Sequence, residues 1–559
     1  MGAVVKLINQ LGLVRMTVSS AGRWRAALIA VTAGAVSALA FAPFFLTPLL
    51  LFTLPLLLWL TEAGEVEQSP GLEPDRNLIG RGAWCGWWFG FGIHTAGLYW
   101  IGNAFLVQAE AFAWLLPFAM VLLPAGLALF HAVALAVVAA VQGPPLFRVL
   151  ALAAAIGVSE WLRGTIFTGF PWNVLGYALT QPIELMQFVG VVGIYGLTVL
   201  TVLVFATPLA VLARGLDPAK RETTRKAVVR IGLLTVLPLI VSWSYGAWAL
   251  SQTMPANNES VRLLIVQPSI NQKDKFDPQK WNRIFLDHVA LTRTALAKGK
   301  SGSDTTRIVF WPEAALPFLA LREQSVSDRI AAMLPNQTFL VTGLLRAEQV
   351  KGKSPKSVEV FNSAVVYDAV GKAISIYDKH HLVPFGEYLP FQEVLEAIGL
   401  EQLTRQRGGF STGEVEGRHM SLPGLGQALM MICYEAIFPS YATSDQVRPE
   451  LLINLTNDAW FGDSSGPPQH FHQSRVRAVE QGIPLLRVAN NGISGAIDAR
   501  GRILRDIALD GIGVIDINLP RPISPTIYSK IENSLAALML VILFGSIIII
   551  GCKFRTLTD

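Results

Sequence analysis

Three side chains suited to nucleophilic catalysis each stand at the end of a short apolar segment. They are Glu313, Lys379 and Cys433, and the segments before them run over 307–312, 374–378 and 428–432. Short apolar runs of this kind are typical of buried strands, and functional groups of α/β sheets gather at the carboxyl ends of strands. The sequence therefore predicts that a carboxylate, an ammonium and a thiol meet at one edge of a sheet.

Such a set can carry an acyl group on sulfur. The carboxylate of Glu313 would take the thiol proton, Cys433 would attack a carbonyl carbon, and Lys379 would stabilise the thiolate and the developing oxyanion. Each residue by itself is more simply read as an ordinary surface charge or a core thiol. Their joint placement is what favours catalysis.

The composition indicates a membrane protein. Of the 559 residues, 52% are hydrophobic and only 15% are charged, which is too apolar for an ordinary soluble protein. Crossing the hydrocarbon core takes about 20 apolar residues, and about eight segments qualify. We predict these spans at 26–42, 45–61, 84–106, 111–141, 148–162, 185–213, 228–250 and 534–552.

The predicted spans divide the chain into three parts. Residues 1–250 form a predicted membrane domain of seven transmembrane helices, and 531–559 form a last transmembrane helix with a short cytoplasmic tail. Residues 251–530 lie between them and alternate strand-like with helix-like segments at ordinary charge density. This middle part is therefore predicted to be one soluble α/β domain that carries the catalytic residues.

The formal net charge of +5 is better explained by membrane topology than by nucleic-acid binding. Basic residues cluster beside the spans, at Lys6, Arg15, Arg23 and Arg25 and again in the loop 214–230. Loops rich in Lys and Arg stay in the cytoplasm, so both clusters are predicted to be cytoplasmic. With an even number of spans, residues 251–530 then face the outside.

This topology leaves Cys433 without a disulfide partner. Of the three cysteines, Cys85 and Cys552 fall in predicted spans. An unpaired cysteine outside the cytoplasm is either a buried inert thiol or a reactive one kept for chemistry. Its position at the end of a strand favours the reactive thiol.

At these residues the sequence resembles the nitrilase, or carbon–nitrogen hydrolase, superfamily, whose members carry a Glu-Lys-Cys triad on an αββα sandwich. The resemblance extends to the bacterial apolipoprotein N-acyltransferase family and covers nearly the whole chain. In the soluble part, the matching motifs are FWPE at 310–313, KHHLVPFGEY at 379–388, ICYE at 432–435, NDAWFG at 457–462 and RVANNG at 487–492. In the membrane part they are FAPF at 41–44, LYWI at 98–101 and GFPW at 169–172.

The resemblance implies a role for each residue of the triad. Glu313 would be the general base, Lys379 the electrostatic stabiliser and Cys433 the nucleophile. The family's further supporting or substrate-binding positions fall on Glu387, Tyr434, Glu435 and Trp460.

Two of these supporting positions have a physical rationale. Glu387 can orient Lys379, and the backbone N–H of Tyr434 can join that lysine in an oxyanion hole. One position departs from the family, because Phe276 follows Lys275 where the family often has a tryptophan. We therefore do not expect Phe276 to be catalytic, although an aromatic contact is kept.

The function that the resemblance implies is the last step of lipoprotein maturation. A fatty acyl chain would pass from a phospholipid, through a cysteine thioester, to the α-amino group of the N-terminal S-diacylglyceryl cysteine of a lipoprotein. The protein would be a multi-pass monomer of the bacterial cytoplasmic (inner) membrane, with its catalytic domain on the periplasmic side.

Two other functions use the same features. A membrane-anchored nitrilase-like amidase would need the same triad, but the seven preceding spans favour a lipid substrate. A non-catalytic membrane scaffold is disfavoured because Glu313, Lys379 and Cys433 are all present. We expect no cofactor and no metal, since the histidine pairs at 380–381 and at 470 and 472 lack the ligand pattern of a zinc site.

Overall fold

The computed structural model describes residues 2–62, 76–213, 221–298, 305–349, 358–397, 399–400, 402–404, 409–442 and 447–555. Part of the basic loop, 214–220, lies outside these residues. Contacts divide the chain into two compact units. The first comprises the described parts of Met1–Tyr99, Pro117–Gln252 and Thr526–Asp559, and the second comprises those of Trp100–Leu116 and Thr253–Pro525. The segment Trp100–Leu116, which the sequence assigned to the membrane domain, is therefore grouped with the second unit.

The described helices lie in both units. They are α1 Gly2–Ser19, α2 Arg23–Ser37, α3 Leu50–Leu60, α4 Arg76–Gly97, α5 Gly102–Val107, α6 Ala109–Phe112, α7 Leu116–Ala140, α8 Pro145–Arg163, α9 Ile183–Met186, α10 Val189–Leu212, α11 Arg221–Ile231, α12 Leu237–Ser251, α13 Gln272–Lys275, α14 Trp281–Lys298, α15 Gln324–Met333, α16 Gln392–Ala397, α17 Gly466–Gln481, α18 Ile527–Ile531 and α19 Ser534–Arg555.

The first unit is built of apolar helices. Among the described residues, 4 stretches are long and apolar enough to cross a membrane, namely Ala109–Ala140, Pro145–Arg163, Val189–Leu212 and Arg225–Ser251. A shorter apolar stretch is Thr47–Leu60. A membrane protein with apolar helices is thus supported, whereas the predicted number of spans stays a prediction.

Glycines let α2 and α4 pack closely in this unit. A methyl group added at Gly34 would clash with the carbonyl oxygen of Phe89, and one added at Gly92 would clash with that of Val31. Small residues at helix contacts are typical of packing inside membranes, where van der Waals contact replaces the hydrophobic effect. Larger residues at either position would force the two helices apart.

The second unit contains two six-stranded sheets. Their strands are β1 Asn258–Gln267, β2 Thr306–Phe310, β3 Thr338–Gln349, β4 Val358–Tyr367, β5 Ala373–Asp378, β6 His419–Leu422, β7 Gly426–Ile432, β8 Leu451–Thr456, β9 Leu485–Ala489, β10 Ser494–Ile497, β11 Ile503–Ile507 and β12 Gly513–Leu519. The orders are β12-β1-β2-β3-β4-β5 and β11-β10-β9-β8-β7-β6. The centre of each sheet is parallel, with β1, β2 and β3 in one and β7, β8 and β9 in the other.

Alternation along the strands places the sheets face to face. In β1, Leu263 and Ile265 join a core that also contains Met430 and Ile453 of the other sheet. Leu264, on the opposite face of β1, packs with residues of α14 and α15, as expected for a side-chain period of two. On the second sheet, α17 packs against the outer faces of β7 and β8. The layers are therefore helix, sheet, sheet, helix, which is the sandwich expected for this part of the chain.

Candidate active site

Cys433 stands on a strained turn at the carboxyl end of β7. It is the first residue of a short 3-10 helix, Cys433–Ile437, and its φ is +50°. A residue other than glycine in this left-handed region costs free energy and persists only where the surrounding structure fixes it. Its side chain is buried, with 8% of the residue exposed. The turn therefore holds the thiol at a defined position at the end of the strand.

Two donors fix the main chain of this turn. Asn454 Nδ2 donates to the carbonyl oxygen of Cys433 over 3.3 Å, and His470 Nε2 lies 3.2 Å from the same oxygen. Asn454 is on the neighbouring strand β8 and His470 is on α17, and both are fully buried. The strained conformation of the nucleophile is thus fixed from two separate elements.

His470 contacts a buried ion pair. Asp458 Oδ2 accepts from Arg487 Nη2 at 2.7 Å, and Asp458 Oδ1 lies 2.9 Å from His470 Nδ1. Arg487 Nη2 is also 3.0 Å from that Nδ1, so a donor and an acceptor both lie beside this nitrogen. Burial and the charge of Arg487 lower the pKa of His470, which favours the neutral ring.

Glu313 and Lys379 follow β2 and β5 and meet inside the second unit. Lys379 Nζ lies 3.6 Å from Glu313 Oε1, and the two residues are 1% and 7% exposed. Both Glu313 and Lys379 are close enough to Cys433 to change the pKa of its thiol. The structure thus brings the three predicted catalytic residues together.

Glu387 forms the strongest contact of Lys379. Its Oε2 lies 2.9 Å from Lys379 Nζ and also accepts from the backbone N–H of Val383 at 2.8 Å. Burial by itself lowers the pKa of Lys379, but Glu387 and Glu313 outweigh it, so the pKa stands above its usual value. Lys379 is therefore a permanent cation in this site.

Glu313 and Cys433 both bind protons more tightly than usual. Burial raises the pKa of Glu313, and Glu387 raises it further against the opposing charge of Lys379. Burial also raises the pKa of the Cys433 thiol, and Glu313 adds to that shift while Lys379 opposes it. A carboxylate with a raised pKa is a better proton acceptor, and a thiol with a raised pKa stays protonated until a base removes its proton.

Glu435 joins the turn of the nucleophile to the loop of the lysine. Its Oε2 accepts from the backbone N–H of Ile432 at 2.7 Å, and its Oε1 accepts from the N–H of His380 and His381 at 2.9 and 3.0 Å. The hydroxyl of Tyr377 also donates to Oε1, at 2.7 Å. Glu435 is fully buried, and its carboxylate connects the two segments through hydrogen bonds to their main chain.

Aromatic side chains flank the site. Tyr434 is buried and contacts the rings of His381 and Phe438, with centroids 5.6 and 5.0 Å away. Trp460, which is only half-buried, meets Phe276 edge to face at 6.0 Å. Phe276 thus keeps the aromatic contact expected at its position.

The segment Trp100–Leu116 supports the loop that carries Trp460. The ring of Trp100 packs on Phe461 at 4.3 Å, and its Nε1 donates to Gln469 Oε1 at 3.2 Å. Asn103 Nδ2 donates to the carbonyl oxygen of Phe461 at 2.6 Å. This explains why Trp100 and Ile101 of the LYWI motif, although they adjoin apolar helices in sequence, belong to the second unit.

Two buried polar residues near Glu313 escaped the sequence analysis. Asn362 on β4 donates through Nδ2 to Glu313 Oε1 at 2.8 Å and to Glu387 Oε1 at 2.9 Å. Lys275, at the end of α13, donates to the carbonyl oxygen of Glu313 at 3.3 Å. For Asn362 the sequence offered one signal, because Asn362 and Ser363 are adjacent polar residues within a mostly apolar strand. For Lys275 the sequence offered no signal beyond its place beside Phe276.

The histidine pairs that suggest a metal site have other partners. His470 lies between Asp458 and the carbonyl oxygen of Cys433, and His380 Nδ1 lies 2.7 Å from the carbonyl oxygen of Gly413. Within the part of the chain that the structure describes, no group of three His, Cys, Asp or Glu residues is placed to hold a metal ion.

Two family models match the chain in succession. Residues 33–207 match the apolipoprotein N-acyltransferase N-terminal domain, and residues 263–523 match the carbon-nitrogen hydrolase domain.

Curated relatives match along nearly the full length. Apolipoprotein N-acyltransferases of Rhodopseudomonas palustris and Bradyrhizobium diazoefficiens are each 42% identical, over 519 and 520 residues, covering 93% of this chain and 94% of each relative. That of Brucella melitensis is 42% identical over 506 residues, covering 90% of this chain and 91% of the relative.

Two solved structures each match about half of the chain. An amidase from Nesterenkonia sp. is 18% identical with a TM-score of 0.32, covering 48% of this chain and 94% of the amidase. A carbon-nitrogen hydrolase from Helicobacter pylori is 17% identical with a TM-score of 0.35, covering 46% and 89%.

Proposed function

The chain belongs to the apolipoprotein N-acyltransferase family, and from that premise we propose that Glu313, Lys379 and Cys433 transfer an acyl chain in two half-reactions. The donor is a phospholipid and the acceptor is the α-amino group of a diacylglyceryl-modified lipoprotein cysteine. The observation that carries this proposal is the burial of Glu313 and Lys379 within electrostatic reach of a thiol on a strained turn.

The first half-reaction loads the enzyme. Glu313 takes the proton of the Cys433 thiol while sulfur attacks the ester carbonyl carbon of the phospholipid. The charge on the carbonyl oxygen is met by the ammonium of Lys379 and the backbone N–H of Tyr434. The C–O bond then breaks, Glu313 returns the proton to the leaving oxygen, and lysophospholipid departs from a thioester on Cys433.

The second half-reaction unloads it. The neutral α-amine of the lipoprotein attacks the thioester carbon, Glu313 takes a proton from the attacking nitrogen, and the C–S bond breaks. That proton returns to sulfur and restores the thiol. An amide is more stable than a thioester, so the second step runs downhill, and the same oxyanion donors serve both steps.

Covalent storage suits two substrates that are both anchored in a bilayer. Because each is bulky, they use one site in turn, and the first product leaves before the second substrate binds. Water must be excluded while the thioester waits. The half-buried pair of Phe276 and Trp460 and the buried ring of Tyr434 are suited to shield it.

Supporting residues keep the charged groups in place. Glu387 orients Lys379 through its short ion pair, and Glu435 links the Cys433 turn to the loop after Lys379. Neither role requires contact with substrate.

For the membrane part we propose a multi-pass protein of the bacterial inner membrane with eight spans and a periplasmic catalytic domain. The apolar stretches of the first unit support several crossings. The basic residues beside the spans support cytoplasmic termini. We propose a monomer that needs no cofactor, because the three side chains supply base, cation and nucleophile.

The test is to incubate the purified protein with phospholipid alone. We expect the peptide that contains Cys433 to gain the mass of one acyl chain, removable by hydroxylamine, with release of lysophospholipid. Cys433→Ser should abolish both, since a hydroxyl is far less acidic than a thiol. Cys85→Ser, which alters a buried thiol in helix α4, is the matched control and should behave as wild type. Lysophospholipid that forms only when the acceptor is also present would replace this mechanism with direct transfer.

A further inference from the structure

A second buried lysine lies on the main chain of the general base. Lys275 is 4% exposed, and its Nζ donates to the carbonyl oxygen of Glu313 at 3.3 Å. It ends the single-turn helix α13, Gln272–Lys275. Lysine is rarely buried unless a partner compensates for lost hydration, so its place beside Glu313 calls for a role.

Lys275 and Glu313 each shift the pKa of the other. Burial lowers its pKa to about 7, and the charge of Glu313 opposes that shift. In return Lys275 lowers the pKa of Glu313, together with Lys379 and against Glu387. Among the described residues, the ionisable groups coupled to Lys275 are Glu313, on the loop after β2, and His288 on α14.

The helix turn of Lys275 also connects to the aromatic pair above the site. The carbonyl oxygen of Lys275 accepts from Trp281 Nε1 at 2.9 Å. Gln272 Oε1 accepts from Asn457 Nδ2 at 2.7 Å, immediately before the turn Asp458–Trp460. Phe276, the next residue along the chain, meets the ring of Trp460. Lys275 therefore lies between the base and the loops that carry the aromatic rings.

We propose that Lys275 is a positioning residue for the general base, holding the main chain at Glu313 and keeping its carboxyl ionised, and that it links the base to the Phe276 loop. This inference rests on the proposed function. In both half-reactions Glu313 must be ionised before it can accept a proton, and a cation beside it favours that form. With a neutral residue at position 275, Lys379 would be the one cation left beside Glu313 among the described residues. Lys379 also pairs with Glu387, so its charge is shared between two carboxylates.

The main test is the pH dependence of acylation. The rate at which phospholipid alone acylates Cys433 is measured from pH 5 to 9 in wild type and Lys275→Met. Losing an adjacent cation raises the pKa of a carboxyl by about 1 unit or more, so the acid limb of the profile should move about 1 unit toward higher pH. Lys273→Met, at an exposed position of the same turn, is the matched control and should leave the limb in place.

A second variant separates charge from hydrogen bonding. Lys275→Gln keeps an N–H donor but removes the charge, so its acid limb should also move, while more of the rate at high pH survives than in Lys275→Met. A rate that falls by the same factor at every pH, with the limb unmoved in both variants, would overturn the inference. Absence of Cys433 acylation in wild type would instead overturn the proposed function itself.

Thermal unfolding in detergent gives a readout independent of activity. The folded pKa of Lys275 is about 7 against 10.5 for the free side chain, so between these values the unfolded state binds more protons and wild-type stability rises with pH. Lys275→Met lacks this dependence. The difference in melting temperature, variant minus wild type, should therefore be largest at pH 7 and below, and this difference should decrease toward pH 10. A difference that does not change with pH would show that the ammonium is not held in a buried site, and would also overturn the inference.

Discussion

The second unit holds two buried carboxyl clusters that behave in opposite ways. Glu313, at the end of β2, shares Lys379 with Glu387, and burial raises its pKa. Asp458, at the end of β8, is equally buried, yet Arg487 and His470 outweigh burial and lower its pKa to about 2. Burial is common to both, so the balance of charges around each carboxyl decides its proton affinity.

The difference lies in how neighbouring charges combine with burial. The cations Lys379 and Lys275 lower the pKa of Glu313, but burial and the neighbouring carboxylate of Glu387 outweigh them. Asp458 pairs with the guanidinium of Arg487, and this charge keeps the carboxyl of Asp458 ionised near neutral pH. The carboxyl of Glu313 can therefore bind a proton near neutral pH, as the proposed mechanism requires, whereas Asp458 stays ionised beside His470 and Arg487.

The largest effect on this comparison should come from Glu313→Gln. The amide keeps the shape and still accepts from Asn362 but cannot take the thiol proton, so acylation of Cys433 should fall by about 10² to 10⁴-fold with little change in thermal stability. Pre-steady-state release of lysophospholipid and thermal unfolding measure the two quantities. Glu359→Gln, an exposed change on β4, should leave both unchanged. Wild-type acylation by Glu313→Gln would assign the base to another group.

Asp458→Asn should affect the other cluster through stability. Removing one partner of a buried ion pair costs about 3–5 kcal/mol because the remaining charge is left uncompensated. Here that charge is Arg487, and chemical denaturation should show the loss together with weaker acylation. The control is Asp516→Asn, which breaks a part-exposed pair with Arg262 and should cost about 1 kcal/mol or less. A stable Asp458→Asn protein that acylates normally would show that this network does not hold the nucleophile.

A smaller effect is expected from Asn362→Leu. The variant removes the donor that bridges Glu313 and Glu387 while keeping a side chain of similar size. Both carboxylates keep Lys379, so we expect acylation to slow by about tenfold, equivalent to about 1.4 kcal/mol, through loss of orientation. Thr342→Val removes a buried hydroxyl on the neighbouring strand that donates to Gly343 instead and should not change the rate. Equal losses in the two variants would mean that the effect is one of packing.

The strands of the second unit were predictable wherever they were buried and continuous. Segments predicted at 307–312 and 428–432 correspond to β2 Thr306–Phe310 and β7 Gly426–Ile432. The strands β6 and β12 carry no such continuous apolar run. Both are at sheet edges, and β6 spans only 4 residues. Edge strands bury fewer side chains, so their sequences carry a weaker apolar signal.

The supporting residues also divide into those that the sequence predicted and those that it did not. Glu387, Tyr434, Glu435 and Trp460 were reached through motif resemblance. Glu387 pairs with Lys379, Tyr434 and Glu435 lie on the turn of Cys433, and Trp460 contacts Phe276. Asn362, Lys275 and Asn454 were not reached in this way, because their importance depends on contacts with residues 49, 38 and 21 positions away in the chain, respectively. Pairing over such distances is set by the fold and leaves no local pattern.

The sequence by itself determined the chemical types of this site and the order of its motifs, because a thiol, an ammonium and a carboxyl at strand ends are properties of single positions. It also determined the apolar character of the first unit and the mixed strands and helices of the second. Only the tertiary structure decided which carboxyl can bind a proton and which cannot. Glu313 and Asp458 have the same functional group and similar burial, and their opposite pKa shifts arise from cations and anions that distant parts of the chain bring beside them.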